Sequence, residues 1–290
     1  MKNFCNKLLL IFEAFLSIIV IKLRRFQPRM NGVQNDALVV SLTSYGKRVG
    51  RFLPYVLYSL LQQQMLPAYI LVWLDREHWN EDNLPAPLKK MQRYGVRLRF
   101  CPDVRSYKKL VYMLPEYKDK VIVTVDDDLY YPKDLLTHLW EAHRLHPRCV
   151  CSVIAHEIGI KSGKLLPYRD WHKNLPNSRE GLLLPIGAGG ILYPPGSLHP
   201  DVLTANYMKL CPTADDLWFW CQALRQGTRH FCLGALTEKY LPFDRLYFFE
   251  QKLNTSNVKG GGNDIQLERL VNEYALLPLM IERKKRYEES

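Results

Sequence analysis

The chain opens its folded part with a short, almost unbroken apolar run at residues 37–42 (Ala-Leu-Val-Val-Ser-Leu), which predicts a buried β-strand followed by a polar loop over residues 43–48. Residues 53–65 then place apolar side chains at helical spacing, and Pro67 closes that element. Two further apolar runs, residues 69–74 ending at Asp75 and residues 96–100, predict strands on either side of a helix over 84–94. A short helix over 108–114, a fourth strand over 121–125, a helix over 134–146 and a fifth strand over 149–155 complete the first half. Alternating strand and helix is the signature of an α/β fold: one mostly parallel sheet with helices on both faces. In such sheets ligands collect outside the carboxyl ends of the strands. The second half is less regular. It offers a Gly-Ala-Gly-Gly turn at 187–190, a helix over 215–225, a triple glycine at 260–262 that reads as a mobile loop, and a last helix over 264–276. Repeats and long linkers are absent, so the pattern predicts a single domain, residues 36–290, behind an attachment segment, residues 1–35.

That first segment has its own logic. Residues 8–21 are apolar except for Glu13 and Ser17, and basic residues flank them. A spanning helix needs ~20 apolar residues, and Glu13 near the middle makes spanning costlier. A secretory signal would need small residues at a cleavage site, which Arg24 and Arg25 do not supply. The segment reads as a helix lying in a membrane interface, with Leu, Ile and Phe in the acyl region and Lys and Arg on anionic headgroups. The alternative is a helix packed on the protein's own surface or on a partner subunit.

Charge sharpens this picture. Of 290 residues, 40 are Lys or Arg and 29 are Asp or Glu, giving +11. Residues 1–35 hold six of the basic residues and one acid, so almost half of the excess sits in an eighth of the chain. Such clustering fits an anionic membrane surface better than a nucleic-acid groove, so no nucleic-acid partner is expected. Hydrophobic residues at 47% exclude a disordered chain. Seven scattered cysteines without a CxxC pair predict reduced, partly buried thiols and no structural zinc. One sequon, residues 254–256, is short enough to arise by chance.

The chemistry concentrates in two acidic clusters. Asp126, Asp127 and Asp128 follow directly on the fourth strand. Adjacent carboxylates repel, and a strand end holds three of them at low cost only with a compensating cation. Asp126 and Asp128, two residues apart, can approach one side of an extended turn, which suits a hard divalent ion, Mn²⁺ or Mg²⁺. The alternative is a solvated acidic turn before the next helix. Asp215 and Asp216 open the helix over 215–225, where a helix dipole alone would favour one acid.

The Asp126–Asp128 stretch resembles the Asp-any-Asp motif of glycosyltransferases with the GT-A fold. Further elements arrive in that family's order: the 41–48 loop, the Lys108-Lys109 helix, the 187–195 glycine turn and the 214–220 acidic helix start. The resemblance spans residues 37–275. It is nearest to bacterial surface-polysaccharide glycosyltransferases, with a looser likeness to exostosin-like enzymes. It implies a Rossmann-like sheet and a divalent ion on a nucleotide-sugar donor, a UDP-sugar, with Asp128 as direct ligand and Asp126 reaching metal or ribose. Asp127 orients its neighbours beside the nucleotide. Thr43, Tyr45 and Arg48 hold base and ribose, Asp75 touches the base edge, and Lys108 or Lys109 reaches the diphosphate. Gly187, Gly189 and Gly190 let backbone approach the donor sugar or the acceptor. Asp216 is the general base on an acceptor hydroxyl, in an inverting displacement, and Asp215 orients the acceptor. Trp171 and His172 are acceptor-stacking candidates. The family often adds a late His ligand; none follows His230 here, and Asn263 or Asp264 is the substitute. The implied acceptor is a lipid-linked oligosaccharide or polysaccharide, at the cytoplasmic face of a bacterial inner membrane, with the protein attached peripherally.

Two other classes remain in view. A haloacid-dehalogenase-type phosphatase would want Thr or Val at position 130, which is Tyr130, and its motif opens the fold instead of following four strands. A non-catalytic, membrane-attached sugar-binding protein has no use for both acidic clusters.

Overall fold

The computed structural model describes residues 2–234, 240–242 and 261–289. The sequon at 254–256 and Gly260 lie outside the described residues. The strands are β1 (Val33–Thr43), β2 (Met65–Asp75), β3 (Val96–Cys101), β4 (Val121–Thr124), β5 (Leu129–Tyr130), β6 (Cys149–Ser152), β7 (Ala155–Glu157), β8 (Ile160–Lys161), β9 (Lys164–Leu165), β10 (Arg179–Gly181), β11 (Leu183–Pro185), β12 (Ile191–Tyr193), β13 (Arg229–Cys232) and β14 (Leu241–Pro242). The helices are α1 (Lys2–Leu23), α2 (Arg48–Arg51), α3 (Leu53–Leu60), α4 (Ala86–Met91), α5 (Lys108–Val111), α6 (Met113–Glu116), α7 (Leu135–Leu145), α8 (Asn206–Leu210), α9 (Asp215–Arg225), α10 (Gly262–Glu273) and α11 (Leu277–Glu288).

Among the described residues the main sheet has eight strands in the order β10-β13-β6-β12-β4-β1-β2-β3. β1 pairs in parallel with both β2 and β4, β2 with β3, and β13 with β6. β12 runs antiparallel between β4 and β6, and β10 is an antiparallel edge. This is the Rossmann-like α/β layering expected, with one difference: the antiparallel β12 is wedged into the sheet beside the acidic strand. Chain order reverses at β1. The chain runs outward through β2 and β3, then returns to β4 on the other side of β1. The carboxyl ends of β1 and β4 therefore flank a topological switch point, where a crevice opens.

The sheet strands alternate strictly between two cores, as a period of two requires. Leu38, Val40, Leu42, Val72, Val123, Cys149 and Cys151 face one side, where α1, α3, α4 and α7 pack. Val39, Leu71, Trp73, Ile122, Val150 and Tyr193 face the other, against α5, α6 and α8 to α11. Both faces are buried, which explains why these strands read as continuous apolar runs. The six cysteines whose side chains are described are buried and free of disulfides.

Two features fix the rim of the crevice. The buried amide of Gln63 donates to the Pro132 carbonyl at 2.7 Å and accepts from the Leu136 N–H at 3.0 Å, so the loop after the acidic triplet is tied to the end of α3. Gly190 leaves the 187–190 turn with φ 89° and ψ 131°, a conformation closed to residues with a Cβ. Replacing Gly190 with Ala is expected to cost about 1–3 kcal/mol through backbone strain. Calorimetry should show a Tm lower by roughly 2–10 °C; an unchanged Tm would show that the turn relaxes freely.

Candidate active site

The crevice is floored by the loop that follows β4. Asp127 turns inward and is buried. It accepts a hydrogen bond from the Ser44 hydroxyl and another from Arg48 Nη1 at 2.8 Å. Burial pushes its carboxyl up, and Arg48 and Ser44 pull it back. Arg48 also lies 3.2 Å from Asp128 Oδ2 and sits over the Tyr45 ring at 5.2 Å. Burial disfavours its charge, but the Asp127 and Asp128 carboxylates outweigh this and raise its pKa. Asp126 and Asp128 remain partly accessible, at 34% and 22% of their side chains, on either side of the buried Asp127. The Asp126 N–H donates to the Tyr131 hydroxyl at 2.9 Å, and that phenol also reaches the Ala188 carbonyl at 3.5 Å.

The second acidic cluster arrives on α9. Residues Leu217 to Leu224 of that helix are all buried, with Trp218 and Trp220 among the largest enclosed side chains. Its first turn, carrying Asp215 and Asp216, is consequently fixed against the sheet. Lys109 of α5 links the two clusters: its ammonium is 3.0 Å from Asp126 Oδ1 and 3.0 Å from Asp215 Oδ2. Burial opposes its charge, yet the fields of Asp126, Asp215 and Asp216 raise its pKa well above the usual lysine range. Asp216 Oδ2 accepts the Gly187 N–H at 2.9 Å, while Oδ1 is sealed without a hydrogen-bond partner among the described residues. Gly187 is the meeting point. A Cβ there would lie 3.0 Å from Asp216 Oδ1, 3.1 Å from Lys109 Nζ and 3.4 Å from Asp126 Oδ1.

Among the described residues, five carboxylates (Asp126, Asp127, Asp128, Asp215 and Asp216) face two cations, Lys109 and Arg48. Burial and the neighbouring Asp215 push the carboxyl of Asp216 up to about 7, against the pull of Lys109. The fit to a divalent ion is good on this ground: hard oxygen donors, two of them accessible, in a site where acids outnumber cations among the described residues.

The remaining candidates from the sequence fall in several places. Thr43 donates its hydroxyl to the Trp73 carbonyl at 2.7 Å at the end of β1, and Tyr45 is 48% exposed above Arg48. Asp75 is buried and holds His78, accepting its N–H at 2.9 Å and lying 2.6 Å from its Nδ1. Lys108 is buried and paired with Asp103, away from the carboxylates that hold Lys109. Gly189 packs its backbone against Ile154, where a Cβ would come within 2.6 Å, and its carbonyl accepts from Tyr240 at 2.8 Å. Trp171 is in the core, donating to the Leu166 carbonyl at 2.9 Å, whereas His172 is 82% exposed near Glu157. Asn263 and Asp264 both engage Tyr168: Asp264 Oδ1 accepts its N–H at 2.6 Å, and Asn263 bonds its phenol, which lies in the field of Asp216. A cavity of about 560 Å³ adjoins them, lined by Leu165, Arg169, Asp264, Glu268 and Val271.

Several partners escape a reading of sequence. Ser44 and Tyr131 carry no motif of their own; only their adjacency to the loops already singled out marks them. His146 meets Cys149 and Glu180, with possible ligand atoms within 4.8 Å of one another, because β10 and β13 bring Glu180 across the sheet. Glu180 there already holds Arg229 at 2.9 Å and His146 at 2.9 Å.

No family model and no curated protein matches the chain. Solved structures do resemble it. A Staphylococcus aureus TarS fragment in complex with UDP is 16% identical, with a TM-score of 0.45 over 68% of this chain and 57% of that one. A mannosyltransferase from Pyrobaculum calidifontis, in complex with GDP-Man and Mn²⁺, is 12% identical, with a TM-score of 0.43 over 93% and 85%. A CMP-2-keto-3-deoxy-manno-octonic acid synthetase complexed with CTP is 14% identical, with a TM-score of 0.42 over 70% and 90%.

The raised carboxyl of Asp216 has a consequence for stability. A carboxyl that folding raises from ~3.9 to about 7 binds its proton more tightly in the folded chain. Stability therefore falls as pH climbs through that interval. Asp216→Asn, which keeps the shape without the charge, is expected to raise stability at pH 8 by on the order of 1–3 kcal/mol in metal-free buffer and to change little at pH 4. Thermal melts at the two pH values check it; equal shifts at both would refute the raised carboxyl.

Proposed function

We propose that this chain is a metal-dependent glycosyltransferase that moves a sugar from a nucleotide donor, UDP-linked, to a lipid-linked oligosaccharide or polysaccharide acceptor at the cytoplasmic face of a bacterial membrane. The observation that carries the reading is the convergence of two acidic clusters around Gly187 at the switch point of a mostly parallel sheet, bridged by the buried Lys109.

In this reading Asp126 and Asp128 hold Mn²⁺ or Mg²⁺, which neutralises charge on the departing diphosphate when bound. Arg48, buried against Asp127, fixes the triplet so that its two accessible members face the crevice. Thr43 and Tyr45, at the end of β1, border the nucleotide side. Asp216 takes the proton from the acceptor hydroxyl. A pKa of about 7 suits a base working near neutrality. The acceptor oxygen bonds to the anomeric carbon as the bond to the diphosphate breaks, which inverts the centre when attack comes from the opposite side. Lys109 bridges Asp126 and Asp215 and holds them in place. The absence of a Cβ at Gly187 leaves the gap among Asp216, Lys109 and Asp126 open.

Two variants separate the roles. Asp128→Ala is expected to lose Mn²⁺-dependent UDP binding and at least a hundredfold of donor-sugar hydrolysis, with an unchanged melting curve. Asp216→Asn is expected to retain Mn²⁺-dependent UDP binding, followed by calorimetric titration, while transfer falls by at least a hundredfold. Full activity in Asp128→Ala would refute the assignment.

A further inference from the structure

α1 is apolar nearly all the way round, and the fold uses only one side of it. Ala14 and Ile21 are buried and Ile18 packs beside them on the core shared with α3. The opposite side carries Phe12, Phe15, Leu16, Ile19, Val20 and Leu23, which are 57%, 53%, 43%, 38%, 43% and 77% exposed. Their spacing of three and four residues makes one continuous stripe along the helix. Scattered exposed apolar residues are ordinary on a protein surface, but a contiguous stripe of six large ones marks an interaction face. Folding does not require it, because the inner side already anchors the helix.

The surroundings of the stripe are basic. Lys22, Arg24, Arg25 and Arg29 are exposed at its C-terminal end, and Glu13 is the sole acid in residues 1–35. No described helix is long and apolar enough to cross a membrane. An apolar stripe with a cationic collar on a helix too short to span is the build of an element lying flat in an anionic lipid interface. A second copy of the chain packed stripe on stripe would bring one acid, Glu13, to a collar of four cations, whereas an anionic bilayer offers a phosphate to each.

The position of this face matters for chemistry. α1 lies against β14 and α3. β14 pairs with β5, Leu241 opposite Tyr130 and Pro242 opposite Leu129, and β5 begins directly after Asp128. Phe26, just past the helix, packs on Tyr55 of α3 at 5.2 Å. The stripe and the acidic crevice are thus carried by neighbouring elements.

We propose that the outer face of α1 docks the protein on an anionic bilayer with the helix in the membrane plane, and that the acceptor is presented to Asp216 from that same bilayer. The second part rests on the glycosyltransferase reading; the first does not. The test uses the full chain and sedimentation with vesicles of phosphatidylcholine alone or with phosphatidylglycerol. The wild type is expected to bind the anionic vesicles at least tenfold more tightly, with affinity falling as salt rises. Phe15→Glu with Ile19→Glu is expected to lose at least tenfold of that binding and to keep its melting curve and Mn²⁺-dependent UDP binding. Lys22→Gln with Arg24→Gln is expected to weaken binding to the anionic vesicles alone. Unchanged vesicle binding in the Glu variant would overturn the docking face. So would a wild-type dimer that the Glu substitutions dissociate, in a protein that ignores vesicles. Transfer to a vesicle-borne lipid-linked acceptor should fall at least tenfold in the Glu variant while donor hydrolysis stays constant; an equal fall in both would overturn the placement of the acceptor. Vesicle binding without any donor hydrolysis would sink the enzyme reading and leave the docking face standing.

Discussion

The structure turns on a buried cation set between two acidic clusters. Lys109, within 3.0 Å of carboxylates from both, is the ammonium among the described residues that lets Asp126 and Asp215 share a crevice. A lysine so enclosed would normally give up its proton; here the surrounding acids hold it charged. Arg48 performs the same service for Asp127 and Asp128 on the other side. Among the described residues two cations face five acids, and burial together with Asp215 moves the carboxyl of Asp216 toward neutrality. An acidic cluster of this kind trades fold stability for readiness to bind cations.

Much of this was legible in the chain itself. The runs at 37–42, 69–74 and 121–125 are buried on both faces, and apolar side chains at nearly every position say so without any partner in view. The acidic triplet was visible because its cost is local: three carboxylates in sequence need compensation wherever they fall. The limits were equally physical. β12 and β13, at three and four residues, are too short to declare a period, and β12 owes its antiparallel course to the gap it fills between β4 and β6. α11 hides in a charged sequence whose one fully enclosed residue is Met280.

At the site the same division holds. Asp126, Asp128, Asp215 and Asp216 announce themselves by residue type, but the identity of the cation that joins them does not. Of the adjacent Lys108 and Lys109, one pairs with Asp103 and the other bridges the acids, and helix phase alone decides which. Gly187 matters because it lacks a side chain, and no composition reveals which atoms meet there. Glu180 approaches His146 and Cys149 only through the strand order, so no spacing along the chain foretells that cluster.

The phenol of Tyr131 carries an implication of its own. It receives the Asp126 amide and reaches the Ala188 carbonyl, so one oxygen pins the strand-end turn to the glycine turn. The ring is wholly enclosed and meets Tyr240 edge-on at 5.6 Å. Fluctuations of the two turns are therefore correlated: whatever tilts one carries the other along. On the proposed reading, donor and acceptor gripped on opposite walls would keep a constant separation through thermal motion instead of drifting apart and having to find each other again.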